Sequence, residues 1–223
     1  MTSWYHITTG LSGFPQPENN HGYLNKTYNS SQACPSCNIG LVQQNEFRFR
    51  TEPKSKHLHF FGLHWILDQV FISKVVMELF EQEQVTGITY SQPVLHKTEH
   101  PLDEWFQLRV DHLVSDGLIT DLLQTEICEF PKDEKQVQFL LAIGSQLVKG
   151  PFCGRVKYHY PQSNVPLTIK ALAFDNQPDI VRLDYYFGSG GNAYRPILIS
   201  EKVKEIIEQE KWRGAFFQKI NLV

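Results

Sequence analysis

The chain has no apolar run approaching the eighteen or so residues of a membrane span, which excludes a spanning helix at the level of sequence. Its start, Met1-Thr-Ser-Trp-Tyr-His, lacks the basic stretch and apolar core of a secretory signal, so the expected compartment is the cytoplasm. It also lacks a basic excess. With 24 acidic and 21 basic residues the net charge is −3, which argues against a nucleic-acid partner held through a positive face. Low-complexity segments and linkers are missing as well. Gly188-Ser-Gly-Gly191 has no following Lys-Ser/Thr and so is not a phosphate loop. Ser145 lacks the flanking glycines of a nucleophile elbow. No catalytic motif is visible, and no enzyme is expected. Cysteine is scarce, four in 223 residues, and two of the four stand in Cys34-Pro-Ser-Cys37. Without a secretory signal, that pair favours a metal or free thiols over disulfides.

What the chain does contain is an internal duplication. Residues 70–95 align without a gap on residues 197–222 at a constant offset of 127. Ile72, Ser73, Val76, Glu78, Glu81, Gln82, Glu83, Gly87 and Leu95 meet identical residues, where chance gives about one or two. Each copy reads as a short apolar strand, a serine at an N-cap, a helix with apolar residues at three-four spacing, an exit glycine, and a second strand. The helix faces expected to be buried are Val76, Leu79 and Phe80 in one copy and Val203, Ile206 and Ile207 in the other. The fold class is therefore α+β, with mixed or antiparallel sheets and a duplicated strand-helix-strand unit. A single globular domain of two similar halves is expected, 1–100 with the Cys-x-x-Cys knuckle and 101–223 ending in the second unit.

Elsewhere Trp4–Thr8, Phe47–Arg50, Trp105–Val110, Arg155–Tyr160, Leu167–Phe174 and Ile180–Phe187 read as strands, and residues 10–33 as a long irregular loop. Residues 116–124 and 135–147 carry patterns that periodicity does not resolve. Aromatics reach 13% and suit a β-rich core. His57, His59 and His64 can be drawn as a metal triad, but no acidic or cysteine partner is near them in sequence, and solvated or core-edge histidines are the simpler reading. The groups His100, Asp103, Glu104 and Asp111, His112, Asp116 read as solvated loops.

Cys34 and Cys37 can chelate one tetrahedral zinc from a tight turn, but a single pair is half a site. Cys153 is the natural third ligand, because Pro151-Phe-Cys-Gly154 reads as the end of a second Cys-x-x-Cys-Gly turn whose first cysteine is replaced by Gly150. Cys128 or a histidine such as His159 is left to supply the fourth. Four reduced thiols are the plain alternative.

Tyr5, Cys34-Pro-Ser-Cys37, Cys153-Gly-Arg155 and the closing stretch from Leu198 to Phe217 together resemble the double-CxxCG proteins, which are similar to immunity proteins of bacterial polymorphic-toxin systems. The chain departs from that pattern at Asn38, where glycine is expected, and at Gly150, where cysteine is. The resemblance implies a non-catalytic protein that binds and neutralises a cognate toxin, with a structural zinc on Cys34, Cys37 and Cys153. Expected contact residues are Phe14, Tyr23 and Tyr28 on the long loop and Tyr194 beside the glycine turn, since aromatics bury much area at little rotamer cost. Two other classes compete: an enzyme with its site between the two units, and an accessory protein with a structural zinc knuckle.

Overall fold

The computed structural model describes residues 2–10, 26–53, 57–63, 66–130, 133–144, 150–161 and 165–223. Nine strands form its two main sheets: β1 (Trp4–Thr9), β2 (Phe60–Leu63), β3 (Ile66–Ser73), β4 (Thr89–Ser91), β5 (Trp105–Arg109), β6 (Leu113–Val114), β7 (Ile180–Leu183), β8 (Ile197–Ser200) and β9 (Ala215–Lys219). The helices are α1 (Lys74–Gln82), α2 (Glu134–Ala142) and α3 (Glu201–Gln209). One sheet has the order β2-β3-β5-β4 and the other β6-β7-β8-β1-β9. All neighbours in these sheets are antiparallel except β6 and β7. The class is α+β with mostly antiparallel, mixed sheets.

The offset of 127 holds through the elements. Helix α1 maps onto α3 residue for residue, and β4 falls on the middle of β9. Each helix buries the same two positions, Val76 and Phe80 against Val203 and Ile207, while Leu79 and Ile206 are only half-buried. Pairing extends the match to strands that the sequence does not show as related. Phe71 faces Gln107 across β3–β5, and Leu198 faces His6 across β8–β1. Strand β1, first in the chain, thus does for the second unit what β5 does for the first. A division at residue 100 cuts β5 from its sheet and leaves β1 on the wrong side. The two units are 60–109 and 180–219 with β1 added.

Alternation along the strands explains the layering. Val70 and Ile72, with Ile197 and Ile199, face one shared cluster that also takes both helices through Val76, Phe80, Val203 and Ile207. Between them Phe71 points to a second cluster with Phe47, Phe49, Phe61 and Trp105. Leu198 points to a third with Trp4, Val181 and Phe187. The central strands of each sheet are buried on both faces, and a single central cluster belongs to both units.

Ser73 and Ser200 occupy the N-cap positions, but neither hydroxyl caps its helix. The neighbouring strand takes that role. The Lys74 N–H donates to Glu104 O and the Glu201 N–H to Ser3 O, both at 3.0 Å. Ser73 Oγ is buried with no partner among the described residues, and Ser200 Oγ donates to Asp179 Oδ1 at 3.3 Å. The units are joined by reciprocal bonds. The Ile180 N–H donates to Thr86 O and the Phe60 N–H to Arg213 O, each at 3.1 Å. In return Thr86 N–H donates to Asp179 Oδ2 at 3.0 Å, and Arg213 N–H to His59 Nδ1 at 3.2 Å.

Candidate functional site

Four sulfurs meet at one point. Cys34, Cys37, Cys128 and Cys153 all lie within 4.8 Å of one another, with Cys34–Cys128 at 3.6 Å and Cys37–Cys153 at 3.7 Å. Four thiolates around a tetrahedral ion at about 2.3 Å stand about 3.8 Å apart, so the donor set and its spacing fit a metal site made of four cysteines. Cys34, Cys37 and Cys128 are buried, and Cys153 is exposed.

Local backbone chemistry builds both halves of the site. Cys34 N–H donates to Ile39 O and Asn38 N–H to Cys34 O, which closes the first turn. Asn38 takes a φ of 60°, the left-handed conformation that asparagine tolerates better than most residues. Its side chain donates to Gly191 O at 3.2 Å. The second half is not a Cys-x-x-Cys turn. Strands Thr125–Ile127 and Val156–Tyr158 pair antiparallel, and Cys128 and Cys153 sit where that hairpin ends. Cys128 N–H donates to Arg155 O and Gly154 N–H to Cys128 O, both at 3.0 Å. Cys128 replaces the cysteine that Gly150 lacks. His159 is turned elsewhere, with Nε2 3.5 Å from Glu126 Oε2.

Burial opposes ionisation of Cys34. The Ser36 and Cys37 amides and the Cys128 and Cys37 thiols outweigh it and bring this thiol down to about 7. Burial pushes Cys37 well above the ordinary thiol range and raises Cys128 as well. Without a cation the buried Cys37 and Cys128 therefore hold their protons at neutral pH. A divalent ion would supply the charge that these two need to ionise. Beside the cluster, the fully buried Lys157 ammonium lies 2.9 Å from Glu126 Oε1 and also donates to Gly190 O. Gly190 N–H donates to the same carboxylate oxygen at 3.0 Å. This pair fixes the 188–191 turn against the knuckle.

The aromatic contact candidates fare differently. Tyr28 is 8% exposed and belongs to the phenylalanine cluster of the first sheet, so its ring is core and offers no contact surface. Tyr194 is half-buried, packed on Phe187 at 6.3 Å between centroids. Phe14 and Tyr23 lie outside the described residues, as does His64. His57 is exposed, and His59 accepts the Arg213 amide.

Between the units lies a cavity of about 160 Å³, lined by β1 from His6 to Thr9, by Gly62, Ile66, Gln69 and Val70, and by Tyr194 to Ile197. His6 is stacked on Tyr160 at 4.6 Å, and burial lowers its pKa to about 4. Its imidazole is neutral at pH 7. Because the unfolded chain titrates near 6.5, unfolding takes up a proton between those values, and stability rises with pH across that window. Full stability is present above about 6.5 and declines toward pH 4, by about 3 kcal/mol at most. The equivalent position in the other unit is Gln107. His6→Gln is therefore expected to flatten the wild-type loss of stability between pH 6.5 and 4, as read by urea melts at each pH. Equal slopes for both proteins would show that His6 does not set this dependence.

Among the described residues no helix is long and apolar enough to cross a membrane. No protein-family model matches the chain, and neither does any curated protein.

Proposed function

We propose that this chain is a non-catalytic binding protein, an immunity protein that neutralises a cognate protein toxin in the cytoplasm, and that the four cysteines hold a structural zinc. The reading is supported by the convergence of its motif residues. Cys34-Pro-Ser-Cys37 and Cys153-Gly-Arg155, far apart in the chain, meet at one cluster with Cys128, and the closing stretch is a complete strand-helix-strand unit. Zinc would cross-link the 34–39 turn to the hairpin end, which stiffens a surface without supplying a reactive group. Such a protein acts by covering its partner, and needs complementary shape and charge rather than catalytic side chains. Co-expression with the protein toxin encoded beside it is expected to restore growth, and the pair to elute as one complex on size-exclusion chromatography. Equal killing with and without this chain, and no complex, would end the immunity reading.

The cavity between the units favours one alternative, an enzyme or small-molecule binder working through the neutral His6. A His6→Gln variant that folds and protects as well as wild type would set that alternative aside.

A further inference from the structure

The binding face follows from where apolar surface and charge coincide. Helices α1 and α3 each bury two residues in the shared core, whereas α2 buries only Leu140. Val137 is half-buried, and the other large apolar residues face solvent: Phe139 at 63%, Leu141 at 60% and, at the C-cap, Ile143 at 60% exposure. Phe139 and Ile143 are four apart and share one face of the helix axis. Phe130, 54% exposed, lies three residues before the Asp133 cap and stands edge-on to Phe152. Beyond it, Ile127 and Val156 are a cross-strand pair, both exposed. Exposed apolar side chains gathered in one stretch of chain beside the cysteine cluster mark a candidate interaction site.

Charge names the kind of partner. Residues 121–144 carry five carboxylates, Asp121, Glu126, Glu129, Asp133 and Glu134, against Lys132 and Lys135. The rest of the chain balances at 19 acidic and 19 basic residues, so the whole net charge of −3 resides in this segment. Glu126 is held by Lys157 and Asp133 caps α2; Asp121, Glu129, Asp133 and Glu134 are all exposed. An acidic segment that carries exposed apolar side chains repels a second copy of itself and attracts a basic surface.

We infer that α2 and the adjoining hairpin end form the docking face for a protein partner that presents apolar side chains ringed by lysine and arginine. This rests on the binding-protein reading above. In that reading, the occupied surface of the toxin is its basic one.

The test uses the full-length protein and the toxin encoded beside it. Wild type is expected to protect, with an affinity that weakens as salt rises. Phe139→Ser/Ile143→Ser is expected to weaken binding by about 100-fold or more, as loss of two central apolar anchors does. Glu129→Lys/Glu134→Lys is expected to slow association by about 10-fold and to reduce the salt dependence. This second variant leaves the apolar residues intact and keeps the test decisive should the first misfold. Leu172→Ser, at a residue 79% exposed on a separate 3-10 turn, serves as the control that retains wild-type binding. If wild type fails to protect, the binding-protein reading itself falls. If wild type protects and both α2 variants match it, this face is not the site. A wild-type dimer by light scattering that α2 substitutions make monomeric, with toxin binding unchanged, assigns the face to self-association and overturns the proposal.

Discussion

Stripping the metal is expected to lower the melting temperature by about 8–16 °C. A site filled a thousandfold above its dissociation constant stabilises the folded state by about 4 kcal/mol, and for a chain of this length each kcal/mol moves the midpoint by about 2–4 °C. The physical reason for so large an effect is the poverty of the surrounding core. Among the described residues only Ile39 joins Cys34, Cys37 and Cys128 as a buried apolar residue there, with Phe152, Tyr186 and Ala193 half-buried around them. Without an ion, the buried Cys37 and Cys128 revert to thiols, and the turn and the hairpin end lose their cross-link. Cys37→Ser, at the least exposed of the four, is expected to reproduce the loss. Cys153→Ser is expected to give a smaller one, because water or buffer can reach the vacated position. Affinity for the ion should fall as pH drops below neutrality, since protons then compete even for Cys34, whose thiol is lowered to about 7. Elemental analysis of protein purified without chelator, followed by melts with and without chelator, checks the set. No zinc and no shift would leave four thiols packed as a small core.

The repeat is legible in the sequence because its elements are local. A helix face at three-four spacing and an exit glycine leave marks within one window, and 70–95 and 197–223 carry them in the same register. The partner strands are not legible as relatives. Trp4–Thr9 and Trp105–Arg109 do the same work, but their sequences share little beyond the leading tryptophan, because each matches its own sheet's clusters. The N-cap serines show a different limit. Residue type suggests hydroxyl capping, while a strand carbonyl from a distant part of the chain takes the amide first. At the metal site, the paired spacing of Cys34 and Cys37 is a signal that sequence carries. Cys128 and Cys153 are brought together by antiparallel pairing across a 25-residue separation, and spacing cannot reveal that. The clue available is arithmetic: three cysteines assigned to a four-ligand site, and one left over. Tyr28 misleads because a loop aromatic looks available until the phenylalanines that receive it are placed.

Alanine at Gly214 or Gly87 is expected to destabilise the fold by about 3–4 kcal/mol, among the largest effects any single methyl group can have here. Both glycines are left-handed, with φ of 100° and 88°. Conformation alone accounts for about 1–2 kcal/mol. The rest comes from what the methyl would meet. A Cβ at Gly214 would stand 2.0 Å from Phe60 O, and one at Gly87 would stand 2.0 Å from Ile180 O. Those carbonyls belong to the first strand of the opposite unit. The adjacent amides, Phe60 and Ile180, are the ones that bond to Arg213 and Thr86. Backbone cannot rotate aside as a side chain does, so the units must separate and both bonds stretch. Gly144 separates the two contributions, since its φ is also left-handed at 67° but among the described residues nothing lies within 4 Å of its added Cβ. Gly144→Ala is expected to show only the conformational loss. Because Gly87 and Gly214 guard two ends of one junction, the double variant should lose less than the sum of the singles. Urea melts of the four variants decide it. Losses at Gly87 and Gly214 no larger than at Gly144 would mean that the units do not meet through these carbonyls.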